Sequence, residues 1–249
     1  MAIKVLRPAL LAAASLLVLG AGLAVGADTV ADDAYAAGSP AVTPSVVTPS
    51  AGTAENSSPV GALFANGSHF CTASVVHSAA GDLVLTAAHC VRDGMAFAPG
   101  YHDGVAPFGM WAVTGVAVAD GWTSAADPDL DFAFLTVHQA GNPASLESLT
   151  GANELGTGRG FDHRITLTGY PDTADSPVVC AGTTTRSGTY QLRVECPGFP
   201  DGTSGGPWVT DGAVIGVIGG YQLGGDTPDV SYSAYFDDDI AALYASAAG

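Results

Sequence analysis

The chain has 249 residues, 47 % of them apolar or aromatic, which suits one large domain or two small ones around a sizeable core. Lys and Arg number 7 against 24 Asp and Glu, a formal net charge of −17. Such a surface repels phosphate and argues against a nucleic-acid partner; it reads as a soluble, self-repelling exterior.

The first 27 residues read as a signal peptide. Lys4 and Arg7 form a positive start, Leu10 to Val25 is an apolar run, and Val25-Gly26-Ala27 offers small residues for cleavage. The run is short for a bilayer span of roughly 20 residues, so a membrane anchor is the weaker alternative. No later segment is apolar for long enough to span. Removing the leader takes away two cations and no acid, leaving five arginines and no lysine. Residues 28–58 are rich in Ala, Pro, Ser, Thr and Val, with Pro40, Pro44 and Pro49 as punctuation, and read as a linker or pro-segment. The sequons at Asn56 and Asn66 are short enough to occur by chance.

From residue 59 the pattern changes to short β-branched runs between Gly, Pro, Asp and Asn. Strands are expected over 72–76, 83–86, 111–118, 132–137, 164–169, 178–184, 190–195, 213–218 and 231–236. That spacing predicts an all-β chain, a sandwich or barrels. A helix is expected only at the end, over 237–248. There Asp237-Asp238-Asp239 precedes an apolar run and reads as an N-terminal cap, not a metal site.

Cys71, Cys90, Cys180 and Cys196 all follow the leader. An even count in an exported chain predicts two disulfides, with three pairings open. The spacing is not that of a zinc clip, and no EF-hand pattern is present, so no metal is expected.

Three fragments carry chemistry. His89 closes an apolar run in Leu85-Thr86-Ala87-Ala88-His89-Cys90; alone, it is equally well a buried structural histidine. Asp131 abuts the apolar run Phe132-Ala133-Phe134-Leu135, where a buried carboxylate needs a donor such as a histidine N–H. Asp127 and Asp129 compete for that role. Ser204 lies in Gly202-Thr203-Ser204-Gly205-Gly206-Pro207, whose glycines leave the hydroxyl uncrowded and let backbone N–H groups converge as an oxyanion hole requires.

Together and in this order the fragments resemble the chymotrypsin-like (trypsin-like) serine proteases, above all the secreted bacterial type. Thr86-Ala87-Ala88-His89-Cys90, Asp131-Phe132-Ala133-Phe134-Leu135 and Gly202-Thr203-Ser204-Gly205-Gly206-Pro207 are similar to the family's three motifs, and the order His, Asp, Ser is the family's. The resemblance runs from about Val60 to Tyr235. It implies two packed antiparallel β-barrels, over about 59–140 and 141–236, with the site between them. It implies catalysis by His89, Asp131 and Ser204, an oxyanion hole from the N–H groups of Gly202 and Ser204, and no metal or organic cofactor. It also implies the pairs Cys71–Cys90 and Cys180–Cys196. Substrate contacts fall by alignment on Gly198, Ile218, Gly219 and Gly220.

The expected protein is a secreted, extracellular and monomeric endopeptidase acting on peptides or proteins, with no stable membrane association once the leader is gone. The alternative is a protease-fold binding protein that has lost catalysis. One departure stands out. Thr203 occupies a place where the family usually has Asp, so activation through an ion pair at that residue is not expected. Gly198 and Ile218 match neither a Lys/Arg-binding nor a Glu-binding pocket.

Overall fold

The computed structural model describes residues 52–53 and 59–249. The expected leader lies outside the described residues, as does the expected linker apart from the two-residue strand β1 (Gly52–Thr53).

The next six strands close a barrel. They are β2 (Val60–Ala65), β3 (Ser68–Val75), β4 (Leu83–Thr86), β5 (Ala96–Pro99), β6 (Trp111–Val118) and β7 (Ala133–His138), in the spatial order β2-β3-β4-β7-β6-β5. Closure comes from β2, which pairs with β3 on one side and β5 on the other. A closed barrel has no free edge along which another chain could add. The β2–β3 hairpin turns at Asn66-Gly67, with φ of 53° and 86°. Two consecutive positive φ values suit Asn-Gly, whose turn matches the twist of the flanking strands. Leu63, Leu85, Phe97, Phe132 and Phe134 fill the interior with no exposed surface.

The second half holds β8 (Glu154–Leu155), β9 (Arg164–Gly169), β10 (Val178–Thr183), β11 (Thr185–Arg186), β12 (Gln191–Glu195), β13 (Pro207–Thr210), β14 (Ala213–Val217) and β15 (Val230–Ala234). They form a six-stranded sheet, β1-β10-β9-β13-β14-β8, and a three-stranded sheet, β11-β12-β15. Both sheets feed one core, in which Leu167 and Trp208 from the larger meet Leu192 and Val194 from the smaller. The all-β, double-barrel expectation holds, with the first barrel closed strand to strand and the second built as two sheets around a shared core.

Each half carries one disulfide, in the pairing that the resemblance implied. Cys71–Cys90 joins β3 to the turn after β4, and Cys180–Cys196 joins β10 to the end of β12, with Cα separations of 6.2 and 5.9 Å. Loops of this size give about 3 kcal/mol each in the chain-entropy account.

Sequence reading overlooked several strands. Among them β5 is only four residues long. It also overlooked two helices, α1 (Asp120–Ala125) and α2 (Leu146–Thr150), which are too short to display a helical period. The C-terminal helix α3 (Asp238–Ala247) is where it was expected. Its cap is Asp237, whose carboxylate accepts the Asp239 N–H at 3.0 Å. Helix α3 sets Ile240 into the core of the first barrel and packs Tyr244 on Phe134, ring centroids 5.6 Å apart. No helix among the described residues is long and apolar enough to cross a membrane.

His77, just after β3, is a junction of these pieces. Its Nδ1 lies 2.7 Å from Glu147 Oε1 of α2, and its carbonyl accepts the Tyr244 hydroxyl of α3 at 2.6 Å. The hydrogen bond that His77 donates to Glu147, then the charge of that carboxylate, raises the His77 pKa above 6.5. A raised folded-state pKa means that protonated His77 favours the fold below the unfolded pKa, and that this contribution fades as pH rises through the folded value. Replacing Glu147 by Gln is therefore expected to narrow the stability gap between pH 5.5 and pH 8.5 in urea titrations; an identical gap in both proteins would contradict the assignment.

Candidate active site

His89 sits on a single 3₁₀ turn, Ala88–Cys90, that directly follows β4. Strand β4 is buried at all four positions, so the turn leaves the barrel at a defined height. Cys90, locked to Cys71 of β3, fixes its rotation. Asp131 ends another 3₁₀ turn, Pro128–Leu130, and is followed at once by the buried run of β7.

The three neighbouring aspartates do different things. Asp127 caps its turn by accepting the Asp129 N–H at 3.0 Å. Asp129 accepts from Gln191 Nε2 at 2.6 Å. Asp131 alone reaches His89. Its Oδ2 lies 2.7 Å from His89 Nδ1, and its Oδ1 accepts the His89 backbone N–H at 2.9 Å. A third donor comes from the other half of the molecule: the Gly220 N–H donates to Oδ2 at 2.8 Å. The Asp131 side chain has 0 % exposure and His89 has 15 %. A carboxylate stripped of water is tolerated only with such a full set of donors. A carboxylate on Nδ1 accepts a ring proton there, which leaves Nε2 as the ring nitrogen not engaged by Asp131.

Ser204 occupies the loop before β13 and lines one cleft with His89, Gly202 and Ile218. Gly202 and Gly205 are in the left-handed region, with φ of 90° and 80°. A Cβ on Gly202 would strike the backbone of Tyr170 and Asp172; one on Gly205 would strike Thr86 and the Thr72 carbonyl. Glycine is therefore required at both places for conformation and for space. The loop is tied to the first barrel through Thr72 N–H, which donates to the Ser204 carbonyl at 2.7 Å. Among the described residues, neither the Gly202 nor the Ser204 N–H meets a protein acceptor.

The four residues aligned with substrate contacts are placed differently from one another. Ile218 lines the cleft. Gly220 serves Asp131 from behind, and Gly219 packs on it: a Cβ there would lie 3.0 Å from the Asp131 carbonyl and 3.1 Å from Oδ2. Gly198 is exposed, with φ of 93°, and turns the chain so that its neighbour Phe199 forms the wall. Phe199, Pro228 and Asp226 line the cleft and were not picked out from sequence, since nothing local distinguishes them. Gln191 was also missed. It bridges the halves by donating to the Pro128 carbonyl at 3.0 Å and accepting the Tyr221 N–H at 2.9 Å.

The side chains of Cys71, His89 and Cys90 lie close enough together to suggest a metal centre. Both sulfurs, however, are joined in a disulfide, and it is the thiolate that ligates metal. The donor set does not fit an ion.

A double-barrel β fold with a histidine–carboxylate pair and a serine in one cleft defines the trypsin-like class. The chain belongs to the trypsin-like peptidase domain family, matched over residues 67–217. Among solved structures it is similar to protease Anisep from Arthrobacter nicotinovorans, at 24 % identity and a TM-score of 0.71, covering 80 % of this chain and 99 % of that one. It is also similar to the thermostable serine protease AL20 from an extremophilic microorganism, at 27 % identity and a TM-score of 0.69, covering 77 % and 97 %. A Glu endopeptidase shares the fold at 17 % identity and a TM-score of 0.66, covering 80 % and 96 %. No curated protein sequence matches the chain.

Removing the Asp131 carboxylate strands three donors, two of them backbone N–H groups. Asp131→Ala is expected to lower unfolding free energy by about 3 kcal/mol, read from urea denaturation. A loss below about 0.5 kcal/mol would show that the carboxylate does not organise the cleft.

Proposed function

We propose that the protein is a secreted serine endopeptidase with Ser204 as nucleophile, His89 as general base and Asp131 as the residue that orients the base. The observation that carries this reading is the buried Asp131–His89 bond at the edge of the cleft that Ser204 lines. Membership in a peptidase family supports it.

In the proposed reaction the Ser204 Oγ attacks the peptide carbonyl carbon while His89 Nε2 takes the hydroxyl proton. The C=O electron pair moves onto oxygen, and the oxyanion is received by the free N–H groups of Gly202 and Ser204. Asp131 stabilises the imidazolium. Collapse breaks the C–N bond, the amine leaves with the proton from His89, and an acyl-enzyme remains. Water then repeats the sequence and releases the acid.

Residues 1–27 are proposed as a cleaved leader and 28–58 as a linker or pro-segment ahead of a protease domain over 59–249. Two disulfides are compatible with an oxidising, extracellular setting. A peptide or protein is the proposed substrate, acted on by a monomer free in solution. The acidic chain is a poor fit to nucleic acid.

The test of the nucleophile is covalent labelling. A fluorophosphonate is expected to modify Ser204 and no other serine, and Ser204→Ala is expected to abolish both labelling and peptide cleavage. A folded wild-type chain that takes no label would end the enzyme reading and leave a binding protein on a protease fold.

The cleft that Ser204 lines is walled by Phe199, Ile218 and Pro228, and Asp201, Asp226 and Arg92 line it as well. Two aspartates against one arginine disfavour an acidic side chain. The specificity of the Glu endopeptidase neighbour is therefore not carried over. In a peptide library, apolar residues before the scissile bond are expected to be cleaved best and Asp or Glu worst; a preference for Glu would overturn this part.

A further inference from the structure

The Gly202 and Ser204 N–H groups, which meet no acceptor among the described residues, belong to two peptide planes of the serine loop, and each plane is held at its carbonyl end. The Asp201 carbonyl accepts the Asp172 N–H at 3.0 Å, and the Thr203 carbonyl accepts the Gly206 N–H at 3.0 Å. Because a trans peptide is planar, anchoring the carbonyl aims the N–H the opposite way. Between these planes lies a third, Gly202–Thr203. Its carbonyl is taken by a side chain from the other barrel: Thr72 Oγ1 donates to Gly202 O at 3.0 Å.

Thr72 has no exposed surface. Its hydroxyl also accepts the Tyr170 N–H at 2.8 Å. A hydroxyl has one proton, so an incoming donor on the lone pairs leaves that proton for the Gly202 carbonyl. The backbone of Thr72 is committed as well. Its N–H holds the Ser204 carbonyl at 2.7 Å, and its carbonyl accepts Thr86 Oγ1 at 2.8 Å. One residue of β3 thus grips both Gly202 and Ser204. The loop adds a local tie, in which Thr203 Oγ1 donates to the Pro200 carbonyl at 2.6 Å. All of these ties are neutral, and none involves an ion pair.

We propose that Thr72 is a positioning residue for the oxyanion site: its hydroxyl fixes the central peptide plane of the serine loop so that the Gly202 and Ser204 N–H groups converge on one point. The inference rests on the reading of Ser204 as nucleophile. Thr72 touches neither substrate nor reacting atoms, and it acts through the loop.

The test compares Thr72→Val with Thr72→Ser in the full chain. Valine keeps the shape and lacks the hydroxyl; serine keeps the hydroxyl. Removing an oxyanion donor outright costs roughly 100- to 1,000-fold in kcat, so a misaligned pair is expected to cost on the order of 10- to 100-fold. Thr72→Val is expected to lose that much kcat at unchanged KM, and to bind a peptide aldehyde, whose adduct presents an oxyanion, more weakly by the same factor. Thr72→Ser is expected to stay within about threefold of wild type on both readouts, as retention of the hydroxyl requires. Circular dichroism and thermal melting establish that each variant is folded; if the valine protein is not, Thr72→Ala, which leaves room for water at the freed groups, takes its place. A folded variant without the hydroxyl that keeps wild-type kcat and aldehyde affinity would overturn the proposal. So would a Thr72→Ser protein as impaired as Thr72→Val. An inert wild type that takes no fluorophosphonate would instead overturn the protease reading beneath it.

Discussion

Asp131 is a carboxylate without solvent, and most of the cleft is arranged around that fact. Burying an ionised group is costly unless every lone pair is met. Two of its donors come from His89 of the first barrel and one from Gly220 of the second. Gly219 must be small to let the second barrel come that close. The carboxylate therefore sets the orientation of the imidazole and also helps to register one barrel on the other.

The same logic runs through the serine loop with neutral groups in place of a charge. Thr72 from β3 and Gln191 from β12 each reach across to the opposite half and satisfy backbone groups there. Buried networks of this kind are costly when partly satisfied and specify one geometry when complete. The cleft is thus held by a small number of directional bonds over two apolar cores, the first of which buries β4 and β7, the strands next to His89 and Asp131.

The residues of the pair were legible because each stands next to a strong local signal. His89 and Asp131 border buried apolar runs, and Asp131 was preferred over Asp127 and Asp129 on adjacency alone. The structure gives the physical ground for that preference: Asp127 caps a turn and Asp129 meets Gln191, while the run of β7 pulls Asp131 inward. Thr72, Gln191 and Phe199 were not legible. A threonine in a β-branched run looks like any strand residue, and its hydroxyl acquires partners only when residues 130 positions away arrive. Gly198 and Phe199 divide their work in a way that sequence does not display: the glycine turns the chain and its neighbour lines the cleft.

What the sequence by itself determined was local and chemical. The alternation of short apolar runs with turn residues marked an all-β chain, the triplet Asp237-Asp238-Asp239 marked the start of the last helix, and the glycines around Ser204 marked a loop whose backbone must turn. These follow from φ/ψ limits and from the free N–H groups of a helix start, which neighbours in sequence can satisfy. Tertiary structure alone decided which groups meet. The closure of the first barrel, the wrapping of two sheets into the second, the third donor on Asp131 and the grip of Thr72 on the serine loop all join residues far apart in the chain. Hydrogen-bond partners at that distance leave no periodic trace in sequence, because the bond depends on where two barrels come to rest and not on what stands beside either residue.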